Sequence, residues 1–170
     1  MNKTKKLTSA AMCLALGIVL PQAFHVIPNA GSILLPMHIP VLICGFIAGP
    51  IYGLIVGFLT PLISHVVFSM PLAFMLPQML AELSVYGLSA GLFSKWIHIK
   101  NEIVNNYIVL ILSMIIGRII YGVLNMLVFK TGEYSLSIWL SAAFITGLPG
   151  ISIQLLIIPL LVKMIQHYVR

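Results

Sequence analysis

Between residues 38 and 69 the chain runs 32 residues without a lysine, arginine, aspartate or glutamate. A water-covered surface is not built that way, since soluble domains carry about 25% charged residues. The whole chain shares the bias: 61% of its 170 residues are hydrophobic and 7% are charged. Nine Lys and Arg stand against three Glu, and there is no Asp. This composition excludes a soluble globular enzyme, a disordered tail and an ordinary nucleic-acid reader. The formal charge of +6 does not restore the last of these. A basic groove needs Lys and Arg clustered on one face, and here long apolar runs separate them. The class is an all-α integral membrane protein.

Length bounds the architecture. A membrane-spanning helix takes about 20 apolar residues, so 170 residues hold about six spans in a single membrane domain, 1–170. No phosphate-cradling motif occurs, and no cofactor is expected. If ATP is needed, a partner must hydrolyse it. Cys13 and Cys44 lie in apolar runs without CxxC spacing and read as buried free thiols.

The N-terminal lysines Lys3, Lys5 and Lys6 resemble the start of a signal peptide. The apolar run continues past Pro21 without a small-residue cleavage site, so residues 7–27 read as a retained first span. Residues 28–40 carry three prolines and one glycine around an apolar centre, Ile33, Leu34 and Leu35. They read as a loop that folds over or into the bundle. Gly49-Pro50 marks a turn within the uncharged stretch, which is either one bent span or two short ones. Charge decides between them. With two, the spans are about 7–27, 38–49, 51–69, 76–94, 105–129 and 139–162. Lys3, Lys5, Lys6, Lys95, Lys100, Lys163 and Arg170 then share the cytoplasmic side, and Lys130 alone lies outside. With one, four basic residues fall on each side. The positive-inside rule selects six spans with both termini cytoplasmic. Trp96, Tyr107, Tyr134 and Trp139 then fall near span ends, where interfacial aromatics belong.

Only Glu82 and Arg118 put charge inside spans, at a cost of at least about 2.5–3.5 kcal/mol each. Their expected depths differ by roughly 8 Å at 1.5 Å per residue. They form either a structural ion pair or part of an outward-facing ligand pocket. Gln78, Glu82 and Tyr86 share one helix face, as do Arg118, Tyr121, Gly122 and Asn125. His25, His38 and His65 lie on or near the outer side, but without HExxH, a close His pair or any Asp they do not point to a metal. Ser64 and His65 are adjacent and do not form a nucleophile–base pair, so no catalytic residue is expected. Gly45, Gly49, Gly53 and Gly57 form a stripe suited to close helix packing. Gly147, Pro149 and Gly150 either break or kink the last span.

Several strings together carry a resemblance: LPMHIPVLICGFIAGP at 35–50, GLIVGFLTPLIS at 53–64, Met70-Pro71, and Glu82 to Gly87. With six spans and Ala11-x-x-x-Ala15 after a lysine-bearing start, the whole chain resembles a substrate-binding S component of an energy-coupling factor (ECF) vitamin transporter. It is closest to the pantothenate-type branch. The resemblance implies a high-affinity site open to the outside and closed by the first outer loop. It also implies a transmembrane coupling protein with two cytoplasmic ATPases as partners, a toppling motion for release, and a prokaryotic plasma membrane. Ala11 and Ala15 match the family's docking motif for the coupling protein. The candidate pocket residues are Phe24, His25, His38, Glu82, Tyr86, Arg118, Tyr121 and Asn125. A carboxylate vitamin such as pantothenate would pair with Arg118. A hydroxymethylpyrimidine- or pyridine-type ligand would donate to Glu82 instead. Two other classes stay open: a stand-alone proton-coupled carrier using Glu82 as relay, and a structural subunit without a ligand.

Overall fold

The computed structural model describes residues 1–24, 30–126, 137, 139, 141 and 145–169. The helices among them are α1 (Lys3–Ala23), α2 (Ala30–Leu34), α3 (His38–Ala48), α4 (Pro50–Phe68), α5 (Leu76–Trp96), α6 (Glu102–Leu124) and α7 (Leu148–Val169). Six of these have eleven residues or more. His25, Lys130 and Tyr134, all used in the topology or pocket expectations, lie outside the described residues.

Caps explain where the helices depart from the expected spans. The Asn2 side chain accepts from the Lys5 amide at 3.0 Å, so α1 starts at Lys3 instead of residue 7. Asn101 accepts from the amides of Ile103 and Val104, and Glu102 favours the positive helix start, so α6 begins at 102 instead of 105. α6 is α-helical to Leu124, residues 125 and 126 continue it with a wider helical turn, and 127–129 of the expected span lie outside the described residues. Residues 137, 139, 141 and 145 are helical and 146–147 form a turn, so Gly147-Pro149-Gly150 stands at a break between helical segments, with its proline in the first turn of α7, where it forfeits no hydrogen bond. α7 runs Leu148–Val169, past the expected end at 162.

At 11 residues, α3 is about 16 Å long, half of an apolar core of about 30 Å. The segment before it makes up depth by turning into the bundle. The predicted loop contains α2, which packs on α7 so closely that a Cβ on Gly150 would overlap the Ile33 and Leu34 carbonyl groups. Leu35 (φ 50) makes the turn from α2 to α3, and Leu35, Met37 and His38 are buried. The Leu35 carbonyl accepts from the His38 amide at 3.1 Å and from Gln154 Nε2 of α7 at 3.5 Å.

Gly49 (φ 102, ψ 179) reverses the chain between α3 and α4 in a conformation that side chains avoid. Gly45 and Gly53, each four residues from that turn, then meet. Gly53 faces Gly87, Gly57 faces Leu83 and Ser84, and Pro50 faces Gly91, which sets α5 antiparallel to α4. A Cβ on Gly53, Gly57, Gly87 or Gly91 would strike backbone of the facing helix. Such contact is how helices associate where lipid supplies no hydrophobic drive. Alternating directions return Lys95 and Lys100 to the side of Lys3, Lys5 and Lys6, which the positive-inside rule makes cytoplasmic.

The bundle is apolar outside and polar within. Met12, Leu16, Ile55, Phe58, Ile111, Ile115, Leu156 and Leu160 are exposed, whereas Glu82, Arg118, Gln78, Asn106, Asn125 and Gln154 are buried. Buried hydroxyls of Thr60, Ser89 and Ser113 donate to carbonyls four residues earlier.

Overpacking a tight interior contact typically costs about 1–3 kcal/mol. Gly87→Val is therefore expected to lower the detergent-denaturation midpoint clearly. Gly31→Ala, where a Cβ meets nothing within 4 Å, is expected to leave it within error. Equal midpoints for both variants would refute the seam.

Candidate functional site

A polar atom facing hydrocarbon has no water to bond, so every buried polar side chain must find its partners inside. The largest group of such side chains surrounds Glu82. Arg118 Nη1 lies 3.2 Å from Glu82 Oε1, and His38 Nε2 lies 3.8 Å from the same oxygen. The His38 ring meets Tyr86 edge-on, with centroids 5.2 Å apart. Tyr86, one turn after Glu82, is fully buried, and its ring lies on Gly117. A side chain at position 117 would displace that ring, so the glycine brings α6 close enough for its neighbour Arg118 to reach Glu82.

Three helices thus meet at the cluster: His38 opens α3, Glu82 and Tyr86 belong to α5 and Arg118 to α6. Glu82 stands six residues after the start of α5, and Arg118 reaches it from α6 across 3.2 Å.

Arg118 is only partly used by this pairing. Its Nε and Nη2 are buried and have no hydrogen-bond partner among the described residues. The same holds for both His38 nitrogens, Tyr86 Oη, Ser64 Oγ, Ser84 Oγ, Gln78 Oε1 and Asn125 Oδ1. Buried polar atoms are nearly always bonded, so such a concentration calls for an explanation.

Of the eight expected pocket residues, His38, Glu82, Tyr86 and Arg118 come together. Asn125 is fully buried two turns beyond Arg118, and its amide nitrogen donates to the Tyr121 carbonyl at 2.8 Å. Tyr121 is half-buried beside it. Phe24 caps the end of α1, half-buried, and nothing ties it to the cluster among the described residues. His25 lies outside them. His65 Nδ1 is 2.6 Å from the Pro71 carbonyl oxygen, which ties it to the turn between α4 and α5. No group of three or more metal-ligating side chains gathers among the described residues.

The sequence reading missed Ser64, which it weighed only as a nucleophile, and Ser84. It also placed Trp139 at the membrane interface. Instead, the Trp139 indole nitrogen donates to the Arg118 carbonyl at 3.1 Å, and its ring lies against Gly122. Gly117 and Gly122, flanking Arg118 along α6, were the available signal that large rings from elsewhere pack there.

The family model described as "ECF transporter, substrate-specific component" matches residues 5–162. No curated protein and no solved structure matches the chain. Members of this family are transport subunits, not enzymes, and work with a transmembrane coupling component and ATPases on a small substrate. That sets aside the stand-alone carrier with Glu82 as relay, and the subunit without a ligand. Because the match runs from the first turn of α1 far into α7, the chain belongs to the substrate-specific components of ECF transporters, multi-pass proteins of the prokaryotic cell membrane.

Proposed function

We propose that this subunit captures a small carboxylate vitamin or vitamin precursor, with pantothenate the first candidate, at the Glu82–Arg118 centre. One observation carries the reading. Glu82 engages Nη1 of Arg118, while the Nε–Nη2 edge is buried and without a partner among the described residues. That edge offers two parallel N–H bonds, the geometry that matches both oxygens of a carboxylate. Glu82 then acts as the orienting partner, holding the guanidinium so that its free edge keeps one direction. His38 and Tyr86 close the opposite side of Glu82.

Affinity for pantothenate, measured by calorimetry on the purified protein, tests this. Removing one partner of a desolvated charge pair commonly costs about 2–5 kcal/mol. Arg118→Gln is expected to weaken binding more than tenfold, with Glu82→Gln weakened less. A heterocyclic substrate replaces the carboxylate if Arg118→Gln binds like wild type and Glu82→Gln does not.

We further infer that the outward face of α1 receives the coupling component. Ala10, Cys13 and Gly17 of α1 are buried, and Gly17 packs on Thr60 of α4. Ala11 and Ala15 lie on the other face, exposed together with Met12, Leu16 and Val19. They are therefore free of the protein's own packing, and small residues there permit close approach by another helix. Replacing Ala11 and Ala15 with Trp is expected to abolish co-purification of the coupling component while ligand affinity stays at the wild-type value. Co-purification at wild-type levels would rule this face out.

A further inference from the structure

Two amide side chains stand outward of the charge pair, one on each of its helices. Gln78 precedes Glu82 by one turn of α5, and Asn125 follows Arg118 by two turns at the end of α6. At 1.5 Å per residue they lie roughly 6 Å and 10 Å from the level of the pair. Gln78 is 3% exposed and Asn125 is 0% exposed.

Both amides are oriented by their own helix. Gln78 Nε2 donates to the Phe74 carbonyl at 2.9 Å, and Asn125 Nδ2 donates to the Tyr121 carbonyl at 2.8 Å. Flipping either amide would set oxygen against oxygen, so the assignment is forced by the bond. One N–H of each NH2 group is thereby committed and a second remains, but the amide atoms with no partner at all are the acceptors. Gln78 Oε1 and Asn125 Oδ1 have no donor among the described residues. Amides that glue helices together bond across to a neighbour, and these two bond back along their own helices.

We propose that Gln78 and Asn125 are specificity residues that read hydrogen-bond donors on the substrate. The acid held by Arg118 must carry O–H or N–H groups on the part of the molecule that extends outward from its carboxylate, within a reach of roughly 6–10 Å. This rests on the carboxylate reading of Arg118 for its anchor, but the donor requirement comes from separate atoms. A plain aliphatic acid, or one whose outer part bears only acceptors, leaves both buried carbonyls unpaired, and sites of this kind reject such ligands strongly.

Three probes separate the two claims. Pantothenate carries the acid, an amide N–H and two hydroxyls. The same β-alanine amide without hydroxyls removes donors and keeps the acid. Pantothenol keeps the donors and replaces the acid by an alcohol. Binding is measured on the full-length protein in detergent for wild type, Gln78→Met and Asn125→Leu. Wild type is expected to prefer pantothenate to the hydroxyl-free amide by more than about tenfold per donor lost. That preference is expected to fall by about tenfold in a variant that has lost the acceptor for one of the hydroxyls. Equal affinity of wild type for pantothenate and the hydroxyl-free amide overturns the inference, as does an undiminished preference in both variants. Pantothenol binding as tightly as pantothenate, with the donor preference intact, overturns the carboxylate reading and leaves this inference standing. Silence from all three probes overturns both. If neither variant folds, the wild-type comparison alone decides.

Discussion

A carboxylate and a guanidinium cannot be left facing hydrocarbon, and the arrangement of this bundle follows from where the two can meet. Glu82 and Arg118 lie on consecutive antiparallel helices with their side chains 3.2 Å apart. A low-dielectric surrounding strengthens their attraction and makes any unpaired charge costly. Meeting at that distance requires α5 and α6 to approach closely, which Gly117 permits by accepting the Tyr86 ring. The register of the two helices and the position of the pair are therefore one constraint.

The same economy of polar groups divides the molecule into an interior that recognises and an exterior that dissolves in lipid. Serine and threonine hydroxyls in the lower, densely packed part are closed against their own helices. The polar atoms left without partners among the described residues concentrate around and outward of Glu82. α1 has its small residues on two faces: Ala10, Cys13 and Gly17 serve internal packing, while Ala11 and Ala15 face away. A helix used on both faces suits a subunit that folds as a unit and also presents a surface to another membrane protein.

The glycine seam sets how rigid the frame behind the site is. Gly45, Gly53, Gly57, Gly87 and Gly91 bring α3, α4 and α5 to backbone contact, so the helix carrying Glu82 is wedged between neighbours. The segment from Ala30 to His38 is held less broadly, by α2 on α7 and by the two bonds to the Leu35 carbonyl. It leads directly into His38, so movement of this segment and the surroundings of Glu82 are mechanically linked.

Charge scarcity and the all-helical membrane architecture of six helices were legible in the sequence, because they follow from transfer energies that act residue by residue. The facing of Gln78, Glu82 and Tyr86 was legible too, since helical periodicity is local. Helix ends were less so. The capping by Asn2 and Asn101 moves two helix starts earlier than hydropathy places them. Which group pairs with which was decided only by the tertiary structure. The meeting of Glu82 and Arg118, the His38 ring against Tyr86 and the Trp139 indole on the Arg118 carbonyl depend on how far one helix slides along another. That slide is set by glycine contacts between segments distant in the chain, and no local pattern encodes them.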